Sequence, residues 1–240
     1  MPQPDQKLRD RAPNDPALYD DLADQWWRPN GLFAMLHWLA GARARLVPPA
    51  EQPGDVLVDL GCGAGLLAPH LAGKGYRHIG VDLIASALRQ ARRHGVVPVR
   101  GDATRVPLRS ACAAVVSAGE LLEHVTDLRA AVAEACRLLR PGGLLVLDTL
   151  NATWLARLIA VDIGERLRGV APRGIHDPNL FVNPDVLVSE CARHGVRLSV
   201  RGIRPAATGL ARWLLTRRGT VAILPTASTA VLYQGRGVKS

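Results

Sequence analysis

A loop of closely spaced glycines with an acid before it is the first feature of the sequence that could do chemistry. Gly61, Gly63 and Gly65 directly follow a short apolar run, and Asp59 precedes them. Glycines lack a Cβ, so a backbone built from them can pass close to a flat ligand. The spacing G-x-G-x-G departs from the G-x-G-x-x-G of dinucleotide-binding loops, because Leu66 occupies the last glycine position. The loop therefore indicates a different ligand.

Two further acids end the next two apolar runs. Asp82 can accept both hydrogen bonds of a ribose diol, and Asp102 can accept from an adenine amino group. Asp59 can contact an ammonium group directly or through water. Each acid alone could cap a helix or close a turn, but three at the ends of three consecutive strands favour a ligand site. A ligand with a diol, a positive charge and no phosphate is S-adenosylmethionine, which we predict as the cofactor.

A second group of residues with chemical potential consists of Glu120, Glu123 and His124. If this segment is helical, offsets of three and four residues place the three side chains on one face. Two carboxylates and an imidazole can hold a hard cation such as Mg²⁺, which would favour a phenolate and orient it for methyl transfer. Alternatively, His124 acts as a general base without a metal, or the cluster is structural. We predict His124 and Glu120 as catalytic residues and all three as metal ligands.

Short apolar strands alternate with helices through most of the chain. The predicted strands are residues 55–60, 77–82, 96–101, 113–117, 144–148, 196–203 and 229–234. The predicted helices among them are residues 66–73, 85–94, 128–139 and 184–194. This alternation predicts an α/β fold with a doubly wound, Rossmann-like sheet of seven strands. The residues named above then lie at the carboxyl edge of the sheet, where such folds bind ligands.

Two segments stand outside this alternation. Helices over residues 13–27 and 32–46 are predicted within an N-terminal helical segment, residues 1–50, which precedes the α/β domain of residues 51–240. A helix over residues 154–168 and a loop with Pro and Gly form an insertion at about residues 151–183, after the fifth strand. Its position at the carboxyl edge predicts a lid over the substrate.

The insertion carries both apolar and basic residues. Trp154, Leu158 and Phe181 are predicted to shape an apolar pocket for the substrate, and the apolar residues around Trp154 are an alternative membrane contact. Four arginines could meet lipid phosphates: Arg157, Arg166, Arg168 and Arg173. The further alternative is a helix that only packs, because apolar and charged residues interleave around it.

The chain has 240 residues, of which 48% are hydrophobic, so it can bury one large core. No apolar run approaches the ~20 residues of a membrane-spanning helix, and the polar N-terminus has no signal-peptide core. The four cysteines are Cys62, Cys112, Cys136 and Cys191. They lie too far apart for a zinc ribbon and do not suggest a disulfide framework, so we predict a cytosolic protein.

The net charge is +9, and residues 151–218 hold 11 arginines against 5 acids. Such an excess can attract anionic lipid, an acidic substrate or nucleic acid, or it can simply be a solvated face. No nucleic-acid-binding motif accompanies it, so no nucleic-acid partner is expected.

The core of the sequence resembles the class I S-adenosylmethionine-dependent methyltransferases. More narrowly, nearly the whole chain resembles the UbiG family of ubiquinone-pathway O-methyltransferases, which act on polyprenyl hydroxyphenols. The segments that carry the resemblance are DQWW (24–27), VDLGCG (58–63), ELLEHV (120–125), RPGG (140–143), TLN (149–151) and GIHD (174–177) with Phe181. The glycine loop is shared by many methyltransferases, whereas TLN and GIHD are more specific to this family.

The resemblance implies cofactor contacts at Arg43, Gly61, Asp82 and the backbone of Gly119. The family has N-P-L-R where this chain has AGAR, residues 40–43, so Arg45 is an alternative to Arg43. The whole predicted cofactor set is Arg43, Asp59, Gly61, Gly63, Gly65, Asp82, Leu83, Asp102, Ala103 and Gly119. The resemblance also implies a metal at Glu120, Glu123 and His124. It further implies contact with a membrane, because a polyprenylated substrate resides in the bilayer.

Three functions are compatible with the sequence. The first is an O-methyltransferase for a phenolic or catechol-type small molecule, above all a polyprenyl quinone precursor. The second is a methyltransferase for another small molecule, such as an aromatic natural product, because many bacteria of high GC content use menaquinone instead. The third is a cofactor-binding regulator or scaffold without catalysis, against which Asp82, Asp102 and the Glu-His cluster argue.

Overall fold

A single mixed sheet forms the centre of the computed structural model, which describes residues 12–166 and 171–240. Its strands are Val56–Leu60 (β1), Arg77–Asp82 (β2), Val97–Arg100 (β3), Ala113–Gly119 (β4), Leu139–Leu150 (β5), Val196–Pro205 (β6), Ile223–Thr226 (β7) and Leu232–Lys239 (β8). Their order across the sheet is β3-β2-β1-β4-β5-β8-β6-β7. Strands β1 to β5 are parallel, whereas β8 runs antiparallel to both β5 and β6.

The predicted α/β fold with a doubly wound sheet is confirmed, and the sheet has one strand more than the seven expected. The additional strand is β7, which pairs antiparallel with β6 at the outer edge. It has only four residues, ILPT, and contains Pro225. A proline is tolerated at a sheet edge because its missing N–H removes no bond to a further strand. So short a segment gives no alternating pattern that a sequence could reveal.

Helices cover the sheet and precede it. They are Ala17–Asp21 (α1), Ala34–Ala44 (α2), Ala68–Leu71 (α3), Ala85–Arg93 (α4), Leu128–Leu138 (α5), Trp154–Arg157 (α6), Pro184–Arg193 (α7) and Ala207–Thr216 (α8). Short 3₁₀ turns occupy Ala23–Gln25, Leu122–His124 and Pro178–Leu180, and α6 continues as a π-helix over Leu158–Gly164. The predicted α-helix of residues 154–168 is therefore α-helical for one turn only, and its last residue, Arg168, lies outside the described residues.

Both faces of the sheet are buried because successive strand residues alternate between two hydrophobic clusters. In β5, Leu145 and Leu147 belong to the cluster covered by α5 and α7. Leu144 and Val146 belong to the cluster on the opposite face, which α2, α3 and α4 complete. This double burial explains why the strands read as continuous apolar runs.

Helices α5 and α7 are among those that start at side-chain caps that the sequence supplies. Asp127 accepts a hydrogen bond from the backbone N–H of Ala130 at 3.0 Å and so caps α5. Asn183 accepts from the N–H of Asp185 at 2.8 Å at the start of α7, where Pro184 occupies the first helical position. Such caps satisfy the N–H groups that the first turn of a helix leaves unpaired.

A third hydrophobic cluster joins the insertion to distant parts of the chain. It contains Trp38 of α2, Ala156 of α6, Phe181 and Trp213 of α8. The rings of Trp38 and Trp213 meet edge to face, with their centroids 5.1 Å apart. The insertion is thus packed between the N-terminal helix and the last helix. Across residues 12–166 and 171–240, none of the helices has the length and apolar character needed to span a bilayer.

The order of the strands also fixes where a ligand can bind. The chain leaves β1 toward β2 and β3, then crosses back to form β4 on the other side of β1. The loops after β1 and β4 therefore diverge and leave a crevice at the carboxyl ends of these strands.

Candidate active site

A cavity of about 240 Å³ opens at this crevice. Ten sequence-predicted site residues line it: Arg43, Asp59, Gly61, Gly63, Asp82, Leu83, Asp102, Ala103, Gly119 and Glu120. His124 lines it as well, whereas Gly65 and Glu123 do not. Most of the remaining lining is apolar and includes Leu32, Phe33, Met35 and Leu36. The cavity therefore joins a polar edge, formed by the strand ends, to an apolar wall contributed by the N-terminal residues.

The glycine loop adopts a conformation that other residues rarely take. Gly61 and Gly63 have φ values of 63° and 50°. A Cβ at Gly63 would lie 2.6 Å from the ring of Trp26, and one at Gly61 would lie 2.8 Å from Leu121. Both positions therefore need glycine for its backbone conformation and for its lack of a side chain. Trp26 packs over the loop, so the N-terminal segment helps to shape the cofactor edge.

Asp82 combines a structural bond with spare acceptor capacity on each carboxylate oxygen. Oδ2 accepts from the backbone N–H of Gly63 at 2.8 Å, and Oδ1 accepts from that of Ile84 at 2.8 Å. A carboxylate offers about four acceptor positions, so one remains on each oxygen. Burial raises the pKa of Asp82 above its ordinary value. The arrangement suits two adjacent hydroxyl donors, as in a ribose.

Asp102 lies at the end of β3, in a short turn that uses one of its two oxygens. Its Oδ1 accepts from the backbone N–H and the hydroxyl of Thr104, at 2.8 and 2.7 Å. Leu83 and Ala103 line the cavity as well; Leu83 has 48% of its surface exposed, and Ala103 is buried. An exposed apolar residue beside a free carboxylate oxygen suits a flat ring that carries an amino group.

Arg43 reaches from α2 to the ends of β4 and β5, where it forms a buried ion pair. Its Nη1 lies 2.6 and 2.7 Å from the two carboxylate oxygens of Asp148. A Cβ at Gly119 would overlap the guanidinium, so glycine is required at the end of β4 for this pair to form. Gln234 of β8 also donates to Asp148 at 3.5 Å. Sequence reasoning missed Asp148, because no motif marks it.

The charge around Arg43 is mostly negative. Burial lowers the pKa of Arg43, but Asp148 and Asp59 raise it, and the second effect prevails. Asp59 also faces the imidazole of His78, with 3.6 Å between Oδ2 and Nε2. Arg45, the alternative that the sequence left open, donates instead to the carbonyl of Ile223 at 3.0 Å and does not line the cavity.

The prediction that a helix carries Glu120, Glu123 and His124 on one face is wrong. Glu120 has a φ of 49°, which no α-helix contains, and a 3₁₀ turn begins only at Leu122. The bend separates the side chains: Glu120 and His124 line the cavity, whereas Glu123 is fully buried and accepts from the hydroxyl of Thr149 at 2.7 Å. Tertiary packing at the carboxyl edge overrides the helical offsets in this segment.

The two glutamates nevertheless keep unsatisfied oxygens. Oε1 of Glu120 and Oε1 of Glu123 are buried without a hydrogen-bond partner among the described residues. Burial raises the pKa of both carboxyls, to about 7 for Glu123, and the neighbouring Glu123 raises that of Glu120 further. A buried carboxylate oxygen without a partner is costly, so a proton or a cation would stabilise it.

The chemistry of this donor set fits a divalent cation, since carboxylate oxygens are the ligands that Mg²⁺ prefers. The three side chains, however, do not lie together around one point in the structure. In the parts of the chain that the structure describes, no three His, Cys, Asp or Glu side chains lie together in a way that could hold a metal ion. A side chain of the trio would have to turn for all three to bind one cation.

His124 is held by Asn14, a residue 110 positions away that sequence reasoning missed. Asn14 donates from Nδ2 to the backbone carbonyl of His124 at 2.9 Å, so its Oδ1 is left to accept from Nδ1 of the imidazole at 2.7 Å. The hydrogen of the neutral ring is therefore on Nδ1, and Nε2 carries a lone pair. Burial is the largest of the causes that lower the pKa of His124 to about 3.

The prediction that Trp154, Leu158 and Phe181 shape the cavity is wrong. The insertion contributes Ala171, Pro172, Ile175 and His176 to the lining instead. Trp154 is 76% exposed on the outer surface, and Leu158 is also exposed. Phe181 is buried in the third hydrophobic cluster with Trp38 and Trp213, so the position of the insertion at the carboxyl edge did not determine which of its side chains face the cavity.

Comparisons with known proteins agree with this geometry. A family model described as a methyltransferase domain matches residues 58–147. The ubiquinone biosynthesis O-methyltransferase of Thiobacillus denitrificans is 36% identical over 188 residues, which cover 75% of this chain and 81% of that protein. The enzyme of the same name from Burkholderia thailandensis is 33% identical over 200 residues, covering 80% and 86%.

Solved structures share the fold at lower identity. A methyltransferase from Thermotoga maritima, described as a possible histamine N-methyltransferase, gives a TM-score of 0.61 at 18% identity, covering 87% of this chain and 93% of that one. A TehB-like methyltransferase from Corynebacterium glutamicum gives 0.59 at 17% identity, covering 94% and 100%.

Together, the sheet order, the cavity at the carboxyl edge and these similarities define a class I methyltransferase that uses S-adenosylmethionine as its methyl donor. Within that class, the chain belongs to the family of the ubiquinone biosynthesis O-methyltransferases.

Proposed function

We propose that the enzyme transfers the methyl group of S-adenosylmethionine to a phenolic oxygen of a catechol-type small molecule, a polyprenyl quinone precursor. The observation that carries this proposal is the lone pair on Nε2 of His124, held in a largely apolar cavity beside the cofactor edge. The apolar wall suits an aromatic acceptor with a hydrocarbon tail. The names of the relatives support oxygen as the atom methylated and a ubiquinone precursor as the acceptor.

The strand ends would hold the methyl donor. Asp82 would bind the ribose hydroxyls, and Asp102 would bind the adenine amino group, with Leu83 and Ala103 against the ring. Arg43 would pair with the carboxylate of the methionine moiety. The rest of the predicted cofactor set would contribute through the acid Asp59 and through the backbone at Gly61, Gly63, Gly65 and Gly119.

His124 would act on the acceptor. The sulfonium is already a strong electrophile, so catalysis needs a hydroxyl oxygen about 3 Å from the methyl carbon and in line with the sulfur. As the new oxygen–carbon bond forms and the carbon–sulfur bond breaks, the hydroxyl becomes strongly acidic. Nε2 of His124 takes its proton, which later passes to solvent, and S-adenosylhomocysteine and the aryl methyl ether are the products. Because the pKa of His124 is lowered, the imidazole is neutral at neutral pH but is also a weak base, so the proton moves only once methyl transfer has made the hydroxyl strongly acidic.

In a second version of the proposal, the lone pair on Nε2 of His124 binds a divalent cation together with Glu120 and Glu123, after a side chain of the trio has turned, and His124 is then a ligand and not the base. Bound there, it would supply charge stabilisation to the phenolate and fix its oxygen. The two unpartnered carboxylate oxygens support this part of the proposal. Glu120 also lines the cavity, so it can contact the acceptor in either version.

The segments around the domain would serve the acceptor. The proposed organisation has an N-terminal helical segment (1–50), a methyltransferase domain (51–240) and a lid within that domain (151–183); residues 1–11 and 167–170 of these ranges lie outside the described residues. The lid exposes Trp154, Leu158, Ile159 and Ile163, and Arg157 and Arg166 stand on the same stretch. Apolar side chains flanked by arginines suit peripheral contact with an anionic bilayer. Flotation with vesicles of anionic and of neutral lipid tests this contact, and no binding to the anionic vesicles would contradict it.

One experiment tests the function directly. The protein is incubated with labelled S-adenosylmethionine and a panel of catechols and phenols, with EDTA and with added Mg²⁺. We expect label in an aryl methyl ether, and transfer only to nitrogen or carbon acceptors would refute the proposal. Extraction of the host's quinones separates the quinone precursor from another aromatic acceptor, because a host without ubiquinone has no use for the former.

A further inference from the structure

The cavity contains a second imidazole that the proposed chemistry has not used. His176, from the loop of the insertion, stacks on His124 with the ring centroids 5.4 Å apart and the planes inclined by 19°. Both rings line the cavity. The edge of Phe181 meets the ring of His176 at a centroid distance of 6.1 Å, so the imidazole lies between two aromatic partners. A ring fixed in this way presents its free nitrogen in one direction.

The hydrogen bonds of His176 determine which nitrogen is free. Its Nδ1 lies 2.9 Å from Oε1 of Glu165, and an ionised carboxylate only accepts, so Nδ1 carries the hydrogen. Nε2 then carries the lone pair of the neutral ring. Glu165 holds the same loop through two backbone N–H groups, from Gly174 to Oε2 at 2.7 Å and from His176 to Oε1 at 3.2 Å. Three donors converge on one carboxylate, which anchors the loop and the imidazole together.

His124 and His176 therefore have the same arrangement of donor and acceptor nitrogens. Each uses Nδ1 to donate to an anchor, Asn14 in one case and Glu165 in the other. Each leaves Nε2 as an acceptor in the same cavity. A single hydroxyl has one hydrogen and can donate to only one of them. Two hydroxyls on neighbouring ring carbons supply one hydrogen for each nitrogen.

We propose that His176, positioned by Glu165, is a specificity-determining residue that accepts a hydrogen bond from the second hydroxyl of a catechol while His124 acts on the first. This inference rests on the proposed function and deepens it, since it assigns the recognition of the neighbouring hydroxyl to named residues. A site built to accept a hydroxyl hydrogen discriminates against the analogue that lacks it, because its acceptor is then left unpaired.

The test compares two acceptors that differ in one hydroxyl, hexylcatechol and hexylphenol. The parent protein, His176→Asn and Glu165→Gln are assayed for kcat and KM with each acceptor. Asparagine keeps an N–H near the position of Nδ1 but removes Nε2. We expect His176→Asn to lower kcat/KM for hexylcatechol about tenfold and to leave that for hexylphenol nearly unchanged. Glu165→Gln should lower the ratio of kcat/KM for hexylcatechol to kcat/KM for hexylphenol by a smaller factor. His176→Gln, which returns a polar group near the position of Nε2, should keep this ratio closer to that of the parent than His176→Asn does.

The control is His194→Asn, because His194 also pairs with a glutamate, Glu190, at 3.5 Å but does not line the cavity. It should leave both acceptors unaffected. Melting temperature and affinity for S-adenosylhomocysteine check the fold of each variant, and Glu165→Gln carries the comparison if His176→Asn does not fold. A ratio of catechol to phenol efficiency that is the same in folded variants and parent overturns the inference.

The failure of the proposed function gives a different result. If the parent protein methylates neither acceptor, calorimetry with the same two acceptors and S-adenosylhomocysteine decides the role of His176 separately. Weaker binding of hexylcatechol by His176→Asn would support that role even then. Equal binding, or no binding by the parent protein, overturns it.

Discussion

Asp82 offers the sharpest test of the cofactor site, because each of its two oxygens accepts a backbone hydrogen bond at 2.8 Å and the residue lines the cavity edge where a ribose would bind. The backbone N–H groups of Gly63 and Ile84 occupy one position on each oxygen, which leaves one on each for a ribose hydroxyl. Asp82→Ala removes both ribose bonds, and Asp82→Asn removes one, since its amide nitrogen cannot accept. A hydrogen bond to a charged group contributes about 1.5–3 kcal/mol. The Kd for S-adenosylmethionine should therefore rise at least about 100-fold in Asp82→Ala and about tenfold or more in Asp82→Asn.

Isothermal titration calorimetry measures these affinities, and circular dichroism with thermal unfolding checks the fold. The control is Asp127→Asn, which alters another aspartate that accepts a backbone N–H, at the start of α5 and away from the cavity. It should cost some stability but leave the Kd unchanged. Folded Asp82 variants that bind with the parent affinity would refute the assignment of the ribose to this carboxylate.

Three further perturbations address the rest of the site. Gly119→Ala should weaken cofactor binding and lower the melting temperature, since its Cβ would overlap the guanidinium of Arg43; equal values for variant and parent would contradict this. His124 has a pKa of about 3 in the folded state against about 6.5 unfolded, so only the unfolded state gains its proton as the pH falls through this window. Protonation of His124 in the unfolded state should thus lower the free energy of unfolding of the parent by at most about 2 kcal/mol between pH 7 and pH 5. Urea titrations at these two pH values should show a smaller fall for His124→Gln, by this same amount. If Glu120 and Glu123 hold a cation, EDTA should abolish turnover and Mg²⁺ should restore it without a change in cofactor affinity; full activity in EDTA would leave His124 as a base without metal.

The cofactor edge could be predicted from the sequence because local signals encode it. Asp59, Asp82 and Asp102 each end an apolar run, and a parallel sheet brings the carboxyl ends of its strands to one edge. The glycines are readable for the same reason: they stand between a strand and a helix, where the backbone conformation demands them.

The acceptor side could not be predicted, since its contacts join distant segments. Asn14 fixes the tautomer of His124 from 110 positions away, and Asp148 pairs with Arg43 across 105 positions. No periodicity marks either residue. The spacing of three and four residues after β4 predicts a helical face, whereas packing at the strand end imposes a left-handed residue at Glu120. Helix α8 and strand β7 were missed for a related reason, since tertiary contacts define them more than local pattern.

The place of β8 in the sheet has a consequence for the order in which the chain assembles. β8 lies between β5 and β6, although it is synthesised after both. Until residues 232–239 leave the ribosome, β5 has an open edge, and the pair formed by β6 and β7 has no strand through which to join the sheet. The end of β8 also holds the C-terminal end of α5 in place. The ammonium of Lys239 donates to the carbonyls of Cys136 and Leu139 at 2.7 and 3.0 Å. β5 ends at residue 150 and β8 begins at residue 232, so one edge of β5 stays unpaired while about a third of the chain is synthesised. Closure of the sheet waits for pairing between segments far apart in sequence, which is a slow step in folding.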